Sequence, residues 1–374
     1  MPPLARRNLF HDKVRLIVTV TGIVFAVVLI VVELGLFVGF TDTTSSLIDH
    51  SGADLWVTSR HVPYVELGVP FSERKLYQVR AVPGVQEAQK LITRWTDWKS
   101  ADGRQESVQI VGIDPDSSMA RPWNLVEGTV GDLKKPDAVI MDDIYKQKLG
   151  ASHVGELFEI RGHRARIVGF THGIRSFTTS PYVFTTFKNA QDYATIAGDQ
   201  TIFILVKLAP GANVEQVRRG ILENVKDVEV FTSREFSHMT QFYWMFTTGA
   251  GVAVLLAAVL GLVVGFVVVA QTIYATTVDH LKEFGTLKAM GAPNSYVYKV
   301  IITQATISAV MGYVLGMIVS GFVVRASQSG GAAILMPWPM AVGMFFLTLV
   351  MCVSAALVSI SKVTRLDPAM VFKG

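Results

Sequence analysis

The sequence predicts a membrane α-helical fold: four transmembrane helices with a large α+β extracytoplasmic domain between helices 1 and 2. Half of the 374 residues are hydrophobic and only 17% are charged, and the mean hydropathy is +0.40. That balance is too apolar for an average soluble chain. Four segments, 16–40, 246–272, 300–324 and 336–360, each supply the roughly 20 apolar residues that a helix needs to cross a bilayer. Between the first two lies the long mixed-polarity stretch 41–244.

The elements follow in chain order. In segment 1–15, Leu4, Leu9, Phe10 and Val14 alternate with Arg6, Arg7, His11, Lys13 and Arg15. This is the pattern of an amphipathic helix on the inner membrane surface, or of an ordinary basic flank. The first span is longer than a signal-peptide core and has no clear small-residue cleavage site, so it is expected to stay as an anchor. Segment 1–15, the loop 273–299 and the tail 361–374 together carry ten basic and four acidic residues. The stretch 41–244 carries 23 basic and 25 acidic residues, and the short loop 326–335 has no charge. Positive charge near the spans marks the cytoplasmic side. Both termini are therefore expected in the cytoplasm and the large domain in the periplasm, with the chain multi-pass in the inner (plasma) membrane. The basic balance is a topology signal and gives no support to nucleic-acid binding.

Within the outer stretch, short apolar runs predict strands at 54–58, 85–93, 107–113, 138–141, 157–160, 166–170, 182–185, 201–208 and 228–231. Helices are expected at 72–79, capped by Ser72 and followed by Pro83-Gly84, and at 214–224 after Pro210-Gly211. QVRAVPGVQEAQKL and RGILENVKDVEVFT share an order of helix end, tight turn and outgoing strand. Two βαβ-like halves, 41–113 and 181–244, are thus expected to form one layered subdomain, with 114–180 inserted as a second, mainly β subdomain.

No catalytic signature is present. GxxxxGK(S/T), HExxH and GxSxG are all absent, which removes the phosphate-cradling loop, the zinc-protease helix and the nucleophile elbow. His163 and His172 flank a strand without a third metal ligand at a suitable spacing, and no metal site is expected. Asp142-Asp143 and the pair Asp114 and Asp116 read as turn residues. Cys352, the single cysteine, rules out an internal disulfide.

The membrane segments say more. Gly35 and Gly39, Gly261 and Gly265, and Gly312 and Gly316 are spaced as small-xxx-small pairs, which let helices approach closely within a subunit or across a dimer. Glu33 is an acidic residue within a span; it is expected to pair with Arg325 at the outer end of span three or to face a water-filled vestibule. In the inner loop, 277–290 is helix-forming, with Val278, Leu281, Phe284, Leu287 and Met290 at helical spacing, and Gly291 and Pro293 end it. Such a helix either docks into a partner's groove or lies on lipid.

At this point the residues resemble the FtsX-like, or MacB-type, permeases of the type VII ABC transporters. In HLKEFGTLKAMGA, residues Leu281, Lys282, Glu283, Phe284, Gly285, Leu287, Lys288, Ala289, Gly291 and Ala292 look like that family's ATPase-coupling helix. Pro368, Ala369 and Phe372 are similar to its C-terminal ending. The first span and ADGRQESVQIVGIDPDS resemble most the DevC branch, which exports glycolipids with a membrane-fusion protein and an outer-membrane channel. The resemblance implies a non-catalytic homodimer bound to two copies of a separate ATPase, which holds the ATP and Mg. It also implies mechanotransmission to the periplasmic domain for efflux of a lipid-like or amphiphilic substrate. Alternatives are a lipoprotein-releasing permease and an FtsX-like signalling scaffold that regulates a cell-wall hydrolase.

Overall fold

The computed structural model describes residues 13–100, 102–178, 180–327 and 334–364. Two compact units divide them: 13–38, 253–327 and 334–364 form one, and 39–252 form the other.

The membrane unit is built on α1 (Lys13–Asp49), whose first part belongs to it, with α7 (Ala250–Asp279), α9 (Asn294–Ser327) and α10 (Trp338–Thr364). These four helices are long and apolar enough to cross a membrane. Their hydrophobic residues run all round each helix, as lipid solvent requires. Ile23, Ala26, Val27 and Ile30 of α1 join Val269 of α7, Ala305 and Ala309 of α9, and Cys352, Ala355 and Ala356 of α10 in one buried cluster. The small side chains of α9 and α10 let their backbones come close. Tyr313 donates to the Ala341 carbonyl at 2.9 Å, tying the same two helices.

The other unit contains twelve strands among the described residues. Its first layer is made of β1 (Leu55–Thr58), β3 (Val85–Lys99), β11 (Phe203–Leu208) and β12 (Glu229–Thr232), joined through α2 (Lys75–Arg80) and α5 (Val214–Asn224). Strand order is β12-β1-β11-β3, with each neighbouring pair antiparallel. Thus β1-α2-β3 and β11-α5-β12 are two interleaved βαβ units, each straddling a strand of the other. The strand period of two decides what each face meets. Leu55 and Val57 turn to α2 and α5, packing with Leu76, Val79, Val217 and Ile221. Trp56 turns the other way, toward Leu47 and Ile48 of α1 and Phe236 of α6 (Ser233–Phe242). Asn213 caps α5 through the Glu215 and Gln216 amides, and Thr232 forms a capping box with Glu235 on α6.

Strand β3 outruns the expected end at 93. Its first half pairs with β11 and its second with β4 (Gln105–Ile113). From β4 the order continues through β9 (Tyr182–Thr186), β6 (Ala138–Asp142), β8 (His163–Thr171) and β5 (Leu125–Glu127), while β7 (Leu157–Ile160) joins β8 back to β3. The ring β3-β4-β9-β6-β8-β7 is therefore closed into a small barrel, which removes exposed strand edges. Trp98, Ile110, Ile140, Phe158, Ile167 and Phe184 belong to its buried core. Strands β6, β7 and β8, from the stretch read as an inserted subdomain, share this barrel with β3, β4 and β9. Helix α3 (Lys146–Leu149) borders it, and α4 (Phe187–Tyr193) packs on β3 and β4.

One local expectation is corrected. Ser72 does not cap a helix; it lies in β2 (Phe71–Ser72), which pairs with β10 (Gln200–Thr201), and α2 begins at Lys75. The Glu73 amide continues that pairing by donating to the Asp199 carbonyl at 2.8 Å, which keeps the chain extended where a cap would need it to turn.

Candidate coupling loop and membrane seam

The loop between the second and third spans is more divided than its periodicity suggests. Helix α7 runs through to Asp279, His280 leaves helical conformation (φ −87°, ψ 9°), and α8 spans Leu281–Ala289. The expected helix over 277–290 is thus two elements: Val278 and Asp279 end the second span, and Asp279 faces Arg15 of α1 at 3.7 Å. Gly291, at φ +88°, lets the chain reverse before α9, and the Ala292 amide closes the turn on the Leu287 carbonyl at 3.0 Å.

Charge placement on α8 follows its dipole, with Glu283 in the first turn and Lys288 in the last. The Glu283 carboxylate lies 3.0 Å from Nδ1 of the buried His280, which ties the helix start to the bend before it. Leu287 packs against the four-helix cluster and Gly285 is buried, whereas Met290 is 71% exposed. One face of α8 is therefore docked on its own bundle, and Glu283 and Met290 are presented outward. The side chains of Leu281, Lys282, Phe284 and Ala289 lie outside the described residues, as do segment 1–12 and the tail with Pro368, Ala369 and Phe372.

A seam between α1 and α7 escaped the sequence reading. Arg15 faces Asp279, and the Thr19 hydroxyl meets that of Thr276 at 2.9 Å. A Cβ on Gly22 would fall 2.8 Å from the Thr272 hydroxyl; one on Gly265 would strike Ile30, and one on Gly261 would strike Glu33. The α1 positions 15, 19, 22, 26, 29 and 33 repeat by four and three, the spacing of a left-handed packing seam. The signal was present, but it is written in Thr and Gly and so vanishes from any hydropathy pattern.

The small-residue pairs resolve onto α1. Gly312 fits against Ile23 and Gly316 against Val27, where added Cβ atoms would come within 2.4 and 2.8 Å. Gly35 lies under Ile334 and accepts the Leu335 amide at 3.1 Å. Gly39 is buried, and its carbonyl takes the Thr43 hydroxyl at 2.7 Å. Helix α1 thus has α7 on one stripe and α9 on another. Glu33 projects on the α7 stripe, about 100° around the helix from the Ile23 and Val27 stripe that meets α9. Among the described residues it forms no ion pair with Arg325, which is exposed on the last turn of α9.

Comparison with known proteins matches this architecture over most of the chain. Residues 16–223 match the MacB-like periplasmic core domain and 255–368 the FtsX-like permease C-terminal family. An uncharacterized ABC transporter permease of Mycobacterium tuberculosis is 24% identical, covering 99% of both chains. One of Mycobacterium bovis is 22% identical, again over 99% of each. The periplasmic region of MacB from Actinobacillus actinomycetemcomitans aligns with a TM-score of 0.40 at 13% identity, covering 51% of this chain and 94% of that one. With a MacB-like domain set between the first and second of four apolar helices and an FtsX-like region following it, the chain belongs to the MacB/FtsX-type ABC transporter permeases.

Proposed function

We propose that this permease carries force from a separate cytoplasmic ATPase to its extracytoplasmic domain, driving efflux of a lipid-like or amphiphilic substrate. In this reading the chain works as a homodimer in the inner membrane with both termini cytoplasmic. Two ATPase copies hold the ATP and Mg and engage α8, and a membrane-fusion protein with an outer-membrane channel completes the export route.

The observation that carries the reading is helix α1. It is 37 residues long without a break, about 55 Å at the helical rise, against a hydrocarbon core of roughly 30 Å. Its inner part is buried in the membrane cluster through Ile23, Val27 and Ile30. Its outer end is buried in the extracytoplasmic core through Leu47 and Ile48. In this reading α1 is the element through which displacement passes from one unit to the other. The second chain connection differs: after α6 come a π-helical turn (Tyr243–Thr247) and Gly249 at φ +76°, a place where the chain bends.

At the inner side, α8 offers Glu283 and Met290 for a partner while Leu287 and Gly285 pass the load to the bundle. The test is co-purification. Replacing Glu283 and Phe284 together with alanine is expected to abolish retention of the ATPase while the permease still folds and inserts. Undiminished retention overturns the coupling role.

A further inference from the structure

Glu66 is an acidic side chain placed where acids are costly. It lies in a short turn (Val65–Leu67), is 5% exposed, and its carboxylate receives one side-chain hydrogen bond, from the Trp244 indole N–H at 3.4 Å. Aromatic rings surround that contact. Tyr64 stacks on Tyr243 at 4.1 Å and meets Trp244 edge-on, and Phe177 lies 4.2 Å from Trp244.

The turn is pinned from both sides. The Val65 amide donates to Thr240 of α6 at 3.3 Å, and Gly68 seats so closely on Ile202 and Phe203 that any Cβ would overlap them. Trp244 itself belongs to the π-helical turn that leads into α7. Such turns recur at working positions because they hold a helix in a strained, convertible form.

We propose that Glu66 is a proton-controlled latch: its neutral carboxyl holds the 65–67 turn against the π-helical segment Tyr243–Thr247, and its ionisation releases them. The titratable groups facing it are Tyr64 from its own turn, Tyr243 from the π-helical segment and Tyr182 from β9. All are phenols, neutral at physiological pH. Among the described residues no lysine, arginine or histidine forms an ion pair with Glu66. An ionised carboxylate accepts about four hydrogen bonds, and this one is offered two donors, its own backbone amide and the Trp244 indole. Burial pushes the Glu66 carboxyl up to about 7, with its own backbone amide and then the Trp244 indole pulling the other way.

The sign follows from that direction. A carboxyl raised from 4.5 to about 7 contributes closure fully below pH 4.5 and loses it as pH rises through 7. Acid outside the membrane therefore stiffens the second chain connection, and neutral or alkaline conditions loosen it. The consequence for transport rests on the function proposed above; the latch does not.

Hydrogen exchange on the full chain in lipid nanodiscs, without any ATPase, keeps the two apart. After correction for intrinsic rates, protection of residues 64–68 and 243–247 is expected to fall by roughly 10²-fold between pH 5 and pH 8. Glu66→Gln is expected to stay protected at both. A wild-type profile that is flat with pH, or a Glu66→Gln profile that still falls, overturns the latch.

Discussion

Asp142 shows how one buried side chain organises a loop. At the end of β6 it accepts the Ile144 amide at 3.1 Å, the Ile174 amide at 2.7 Å and the Thr171 hydroxyl at 2.9 Å. Burial raises its carboxyl above the ordinary aspartate value, and those three donors together with the Gly173 amide hold it back. From the sequence it was legible as a turn residue, and it does cap the turn that follows. Its grip on residues 171–174 was not legible, because β8 brings Thr171 alongside only after the barrel closes. Asp142→Ala is expected to strand buried donors and cost about 2–3 kcal/mol, read as a lower urea midpoint for loss of the domain's near-ultraviolet signal. Glu66 was missed for a related reason: nothing near it in sequence says that Trp244, far along the chain, will cover it.

Elements were easier to foresee than their partners. Four spans stand out because lipid demands long apolar runs, and the helix over 214–224 matches α5 because Asn213 and the apolar positions Val217 and Ile221 mark its start and its inner face. Strand β3 was read short because its second half, TRWTDWK, mixes charge with aromatics, and only alternate residues there face the barrel. The loop between the second and third spans was read as one helix because His280 carries no breaking signature; backbone angles, not residue type, separate α7 from α8. The small-residue pairs were visible, though which helix they would meet was not. Since Gly316 admits Val27 so closely, Gly316→Leu is expected to pry α9 from α1 and destabilise the bundle by about 1–3 kcal/mol. Thermal unfolding in detergent checks this, with Gly321→Leu, where nothing lies near the added Cβ, as the neutral control.

For the whole molecule, the decisive feature is that one helix belongs to both units. Sequence patterning gave a span of residues 16–40 and left the rest of α1 as the start of a domain, since Thr41, Asp42, Thr43 and Thr44 look like a loop opening. Those residues stay helical with the Thr43 and Thr44 hydroxyls turned back onto carbonyls of the preceding turn, and Leu47 and Ile48 beyond them are buried in the domain core. If force passes through α1 as proposed, a continuous helix carries rotation as well as push. Each residue added between Val38 and Phe40 would turn the outer end by about 100°, whereas seven would return it to within about 20° of its starting bearing. Alanine insertions of increasing length should therefore make ATP turnover by the assembled transporter oscillate with helical phase, poorest at two residues and recovering at seven. A steady decline with length would mean that the shaft tolerates twist and that only reach matters.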